Sequence, residues 1–198
     1  MIQKSELNMK LINKIPIFCV VWFFSGCSSM PAIQYSPKLQ AAGPKDAQVF
    51  VKNFNDDRSP YEQKNLVGIY NGYNMRLGDV QSPPGLAASM REALVAEVEN
   101  AGYKIVDHEN DISVQGTIES VLCDSRTTRS CEVQIKLAVR DKGEEVLNSL
   151  YRGNSRQWAP VTFNCSKPLT KSIEEIAVQF VKDLNEYLMD QNPEQRQS

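Results

Sequence analysis

ISVQGTIESVLCDSRTTRSCEVQIKLAVRDKGEEVLNSLY, residues 112–151, is the stretch from which the architecture is read. Ile112, Val114, Gly116 and Ile118 alternate with polar neighbours, and Val133, Ile135, Leu137 and Val139 do the same. A period of two is the mark of a strand with one face buried and the other in water. Val146 to Tyr151 is a weaker third run. Asp141-Lys142-Gly143-Glu144 carries the residues of a tight turn between the second and third. Three antiparallel strands are expected here.

Working outward, Gln48-Val49-Phe50-Val51-Lys52-Asn53-Phe54 is rich in β-branched and aromatic residues and reads as a strand. Asn55-Asp56-Asp57-Arg58-Ser59-Pro60 breaks it, because these are turn residues and Pro ends a ladder. Leu66 to Tyr70 is a second extended piece, joined by Asn71-Gly72-Tyr73-Asn74 to Met75-Arg76-Leu77 in hairpin fashion. A helix follows, with Ser82 as cap, Pro83 in its first turn and Leu86, Met90, Ala93, Leu94 and Val98 on one face. Gly102 suits its left-handed C-terminal cap, and Tyr103-Lys104-Ile105-Val106 is a short strand beyond it. Near the C-terminus, Ser172 and Glu175 fit a capping box. Ile173, Ile176, Ala177, Phe180, Val181, Leu184 and Leu188 line the helix that follows, to about Met189. The expected fold is α+β: an antiparallel sheet of about five to six strands packed on one face by two amphipathic helices.

The first 26 residues read differently. Lys4, Lys10 and Lys14 precede the apolar run Ile15 to Phe24, which is too short to span a bilayer and has the form of a signal-peptide core. Met9 serves as an alternative start, since two of those lysines still precede the run. Phe24-Ser25-Gly26-Cys27, with small residues directly before a cysteine, resembles the lipobox of bacterial lipoproteins. The resemblance implies cleavage between Gly26 and Cys27 and acylation of Cys27. The other reading is an ordinary secretory signal with an incidental cysteine. Two or three acyl chains anchor a protein firmly without a spanning helix. Ser28, rather than an Asp, after that cysteine resembles sorting to the outer membrane of a Gram-negative envelope. Four regions are therefore expected. Residues 1–26 are a lipoprotein signal peptide and 27–47 a lipidated N-terminus with a flexible tether, of roughly 20–25 Å r.m.s. span. Residues 48–189 are a periplasm-facing domain and 190–198 a polar tail.

The formal charge of the whole chain is -2, from 22 Lys+Arg and 24 Asp+Glu. Removing residues 1–26 takes away Lys4, Lys10, Lys14 and Glu6, leaving 19 basic and 23 acidic residues, or about -4. Nucleic-acid binding needs clustered positive charge, so no nucleic-acid partner is expected. A single His among 198 residues makes a His-based metal site or a His relay a poor expectation.

The layout as a whole is similar to the YajG-type family of small bacterial lipoproteins. The features are the lipobox, the Asp57-Arg58-Ser59-Pro60 turn, a Gly68-led second strand, the Ala101-Gly102-Tyr103 junction and the closing helix, across roughly residues 27–189. The resemblance implies an outer-membrane lipoprotein with a periplasmic α+β domain and no enzymatic activity, hence no catalytic residues to assign. Cys123, Cys131 and Cys165 depart from it.

Those three thiols belong to an oxidising compartment. Cys123 and Cys131 flank a seven-residue loop, Asp124 to Ser130, between two expected strands. A hairpin brings such positions within reach of a disulfide, worth about 2.5 kcal/mol on the loop-entropy scale. Cys165 is then left free, or pairs with one of the other two. No Cys-x-x-Cys spacing suggests a metal site. His108, in Asp107-His108-Glu109-Asn110-Asp111, reads as a solvated turn histidine or as a base tuned by its carboxylates. Asp57 and Arg58 read as a partner contact or as a self-closing turn. Arg126 and Arg129 read as a basic loop tip, either solvated or facing an acidic partner. The expected function is a non-enzymatic interaction or assembly module at the outer membrane, with an envelope protein as partner. No cofactor is expected beyond the lipid on Cys27. The alternative is a carrier of lipid or lipopolysaccharide in an apolar groove between helices and sheet.

Overall fold

The computed structural model describes residues 35–38, 47–60, 62, 66–81, 85–109, 111–125, 128–158 and 165–191. In chain order its elements are β1 (Gln48–Val51), β2 (Asn55–Asp56), β3 (Leu66–Tyr70), β4 (Arg76–Gln81), α1 (Leu86–Asn100), β5 (Lys104–Val106), β6 (Ile112–Ser125), β7 (Thr128–Asp141), β8 (Glu144–Trp158) and α2 (Ser166–Gln191). Gly26 and Cys27, Ser82 and Pro83, Arg126 and residues 192–198 of the expected tail lie outside the described residues.

The alternating stretch forms the long antiparallel ladder β6–β7–β8, running from Ile112 opposite Asp141 to Thr128 opposite Trp158. Its turn uses Lys142 (φ 50°) and Gly143 (φ 89°), two successive left-handed residues whose twist matches that of the flanking strands. The third strand is far longer than the Val146–Tyr151 run that signals it.

The sheet has eight strands and is mixed, which corrects the antiparallel sheet of five to six. β1, β2 and β3 lie one after another along a single edge of β6, all parallel to it, with Val49 beside Ile112, Asn55 beside Thr117 and Ile69 beside Cys123. β5 adds parallel to β1. The Asn55-Asp56 pair, read as a break, remains on the ladder because Lys52 N–H donates to Val114 (2.8 Å) and Asp57 N–H to Ile118 (3.0 Å). Alternation marks which face is buried and is silent on direction. Direction is set by where α1 delivers the chain: it carries the chain on from β4 to the end of the sheet where β1 begins, so that β5 starts beside Gln48 and runs parallel to β1.

The end of α1 follows the local sequence. Gly102 takes φ 99°, its N–H donates to Glu99 (2.9 Å), and Tyr103 N–H donates to Val98 (3.2 Å). These are the paired bonds of a Schellman cap, closed by a residue that bears no penalty in the left-handed region. The start of α2 does not follow. The helix begins at Ser166, so Ser172 and Glu175 are interior and make no capping box. Ser172 Oγ donates to the Cys131 carbonyl (2.7 Å), and Glu175 accepts the Asn154 N–H of β8 (3.0 Å). The pair fastens helix to sheet. Gly153 permits that closeness, since a Cβ there would stand 1.9 Å from the Ser172 carbonyl oxygen.

Both helices cover one face. Leu86, Met90, Ala93, Leu94 and Val98 of α1 join Ile173, Ile176, Ala177, Phe180, Val181, Leu184 and Leu188 of α2 over Val114, Ile118, Val133, Ile135, Leu137 and Val139. Burying each large aliphatic or aromatic side chain contributes about 1.5–3 kcal/mol. Phe180 also meets Tyr151 edge-on, with centroids 5.8 Å apart.

Tyr35 and Lys38, in the segment read as a flexible tether, touch the domain. Tyr35 packs on the core cluster and donates its hydroxyl to Glu97 of α1. Lys38 N–H lies 3.0 and 3.2 Å from the two Glu97 oxygens, and Lys38 Nζ lies 3.9 Å from Glu174 of α2.

Candidate functional site

The cysteines settle first. Cys123 and Cys131 face each other across β6 and β7, bonded through their sulfurs with Cα atoms 4.1 Å apart. The segment between them is not a seven-residue loop: the strands continue to Ser125 and from Thr128. Cys165 is buried as a free thiol, its carbonyl oxygen 3.6 Å from Cys131 Sγ. Burial pushes that thiol's pKa up; the Arg129 charge pulls it down and the Asp124 charge raises it.

Arg129 is therefore no loop tip. It belongs to β7 on the same face as Cys131 and Val133, and only 7% of it is exposed. Arg58 is buried too, at 3% exposure. Its guanidinium grips Asp56 with Nε to Oδ1 at 2.8 Å and Nη2 to Oδ2 at 2.6 Å, and its own N–H reaches Oδ1 at 3.3 Å. The fork of an arginine matches a carboxylate two residues earlier across the turn. Asp57 stays exposed and takes no part in that grip. Of the residues read as a partner contact, a self-closing turn or a solvated tip, Asp57 stays at the surface, while Arg58, closed on Asp56, and Arg129 lie inside the fold. A carboxylate at i−2 was the available signal for Arg58.

His108 stands in the open, its Nδ1 2.9 Å from an equally exposed Asp107. The imidazole hydrogen bond holds the Asp107 carboxyl below its usual range. Glu109 turns instead to Lys52 at 2.6 Å, which lowers its pKa likewise. The acids around His108 therefore do not converge on a common point. Among the described residues no group of three or more His, Cys, Asp or Glu is placed to hold a metal ion, and no helix is long and apolar enough to cross a membrane.

The gap between α1, α2 and the sheet is lined by Phe54, Met90, Leu94, Ile135, Ile173 and Ala177 and measures about 10 Å³. That is the room of a single water, against ~300 Å³ or more for an ordinary ligand pocket.

A different feature gathers at one end of the sheet. Tyr70 ends β3 beside Asp124 of β6 and Arg76 of β4, while Thr128 opens β7 opposite Trp158, the last residue of β8. The β3–β4 turn, the β6–β7 turn and Trp158 therefore share that end. Tyr73 (86% exposed), Met75 (55%) and Trp158 (73%) stand on it, with Leu77 and Leu122 close behind. At ~4.8 Å per strand, the row from β4 to β8 runs roughly 20 Å along the sheet. The turn presenting Tyr73 and Met75 is internally tied. Asn71 Oδ1 accepts both their N–H groups at 2.9 Å, Asn71 N–H donates to Met75 (3.0 Å), and Asn74 takes the left-handed φ of 59°. Asn-Gly announced the turn, but Asn71 and Asn74 build it. Single exposed apolar residues are ordinary, whereas Tyr73 and Met75 are held side by side on a tied turn, and Trp158 stands at the same end on β8.

No protein-family profile and no curated protein matches the chain. Among solved structures, it is similar to a Xanthomonas campestris protein of the family named DUF330, with a TM-score of 0.60 and 11% identity over 76% of this chain and 90% of that one. It is also similar to the hypothetical protein CT253 of Chlamydia trachomatis, with a TM-score of 0.50 and 9% identity over 72% and 97% of the two chains. A chain described as a lipoprotein from Caulobacter crescentus overlaps at a TM-score of 0.41 and 11% identity over 52% and 82%, too loosely to argue from. At such identities the likeness is one of fold alone.

Proposed function

We propose that the protein is a YajG-like lipoprotein of the bacterial outer membrane, anchored through Cys27, whose periplasmic domain recognises another envelope protein and performs no chemistry of its own. The observation that carries the reading is the exposure of Tyr73, Met75 and Trp158 at one end of the sheet, the first two on an internally tied turn. Large aromatic side chains held in a set geometry are the anchors of protein recognition, because little freedom is lost when they are covered.

The position of the tether favours a protein over the anchoring bilayer as occupant. Glu97, which holds Tyr35, belongs to the opposite end: Val98 accepts the Tyr103 N–H, and Lys104 then pairs with Gln48, next to Val49 and Ile112. From there β6 runs 14 residues to the apolar end, roughly 40 Å or more. The eight peptide steps from Tyr35 to Cys27 span at most ~28 Å fully extended. An anchored domain so held turns its apolar end away from the lipid. Carriage of lipid between the helices has less support, since among the described residues the gap lined by Phe54, Met90, Leu94 and Ile173 has room for about one water.

The test is site-specific photocrosslinking in intact cells. Probes at Tyr73, Met75 and Trp158 should give one discrete adduct with a defined envelope protein, and a probe at Lys136, on the outer face of β7, should not. Trp158→Ser should weaken that contact by about 2 kcal/mol, roughly thirtyfold, with the melting temperature unchanged. Adducts to lipid alone, or none from any of the three positions, would refute the reading.

A further inference from the structure

We propose that Glu97 is a docking site for the chain's own Tyr35–Lys38 segment, a latch that shortens the membrane tether when closed and lengthens the domain's reach when open. The inference rests on the anchor reading for its consequence, but the latch itself is a matter of contacts within the chain.

Glu97 is an anomaly on its helix. Met90, Leu94 and Ala101 lie three to seven residues from it on the same buried stripe, and Glu97 is itself fully buried. A carboxylate there is costly unless hydrogen-bonded. Tyr35 Oη and Lys38 N–H supply bonds, both from one short segment more than fifty residues distant in sequence. Burial first, then the Glu97 hydrogen bond and charge, push the Tyr35 phenol far above its ordinary pKa, so the hydroxyl keeps its proton and serves as donor. Lys38 Nζ adds a long contact to Glu174 on the second helix, so the segment bridges α1 and α2.

The geometric consequence is large. With the latch closed, the seven residues between Cys27 and Tyr35 can reach ~28 Å at most. With it open, the twenty residues between Cys27 and Gln48 can reach ~70 Å at most. The forces on the two sides are comparable: ordering four residues opposes a few charge-assisted bonds and one buried ring. Such a balance can be tipped by a partner that competes for Glu97 or pulls on the domain.

The experiment is amide hydrogen exchange on the full mature lipoprotein in phosphatidylethanolamine–phosphatidylglycerol vesicles, read at Lys38. In the wild type the Lys38 amide should be protected by roughly tenfold or more over an unstructured peptide. Tyr35→Phe and Glu97→Gln should each remove most of that protection while β7 amides exchange unchanged. Energy transfer from a bilayer dye to a label on the domain should report a greater height for both variants. Because Glu97→Gln alters a buried site, Tyr35→Phe, which changes only the segment, is the deciding variant. An unprotected Lys38 amide in the wild type, or equal protection in Tyr35→Phe, overturns the latch. Failure of the anchor reading shows separately, as Cys27→Ser remaining in the membrane fraction, and leaves the Lys38 measurement unaffected.

Discussion

Arg58 and Asp56 form a two-pronged ion pair inside the fold, with 1% of the arginine side chain exposed. Removing one partner of such a pair leaves a charge poorly solvated, so Arg58→Ala should cost about 3 kcal/mol in urea unfolding. A loss under about 0.5 kcal/mol would instead return Arg58 to the surface role that the Asp-Arg turn suggests. Glu97 teaches the complementary lesson. It occupies a position on the Met90–Leu94 stripe where periodicity asks for an apolar residue, and that misfit was visible in the sequence. Its partners were not, because Tyr35 and Lys38 belong to a segment with no periodicity. Arg129 was misread for a different reason. Three more residues of strand at the head of β7, Thr128 to Ser130, turn an expected loop position into an inward-facing one.

At the scale of elements, α2 and β8 meet where Ser172 and Gly153 nearly touch. Any side chain at residue 153 collides with helix backbone, which cannot yield as a flexible side chain would. Gly153→Ala should therefore lower stability by about 3 kcal/mol or more, since overpacking against rigid structure costs at least the usual 1–3 kcal/mol. The check is the urea midpoint; an unchanged midpoint would mean that α2 shifts freely on the sheet. The antiparallel ladder was largely legible because its hairpin turn and alternation are both local. The β1–β2–β3 edge was not, since three short pieces with different side-chain patterns share one partner strand.

For the whole molecule, three tyrosines tie distant parts together. Tyr35 joins the N-terminal segment to α1, Tyr103 bonds Asn185 of α2, and Tyr151 bonds Asp183 at 2.7 Å. All three phenols titrate above the ordinary value of 10.0, chiefly through burial, with Glu97 and Asp183 adding to the effect at Tyr35 and Tyr151. Their folded pKa values are raised, so the stability they contribute is complete below pH 10 and declines as pH climbs past it. The unfolded chain gives up those protons first. Thermal unfolding followed from pH 8 to 11.5 should show that decline, and Tyr103→Phe with Tyr151→Phe should flatten its slope. Superimposable slopes would show that the phenols do not couple to folding. What the sequence by itself determined is what lies within a few residues: the β6–β7–β8 meander and its Asp141–Glu144 turn, the amphipathic helices, the Gly102 cap, the facing of Cys123 and Cys131, and the expectation of an anchor at Cys27. Only the tertiary structure decided the parallel strands, the burial of Arg58 and Arg129, the grip of Glu97 on Tyr35 and Lys38, and the placing of Tyr73, Met75 and Trp158 at the same end of the sheet. A periodic pattern specifies which face of an element is covered, whereas partners and strand direction depend on contacts made after a crossover, between residues that no local spacing relates.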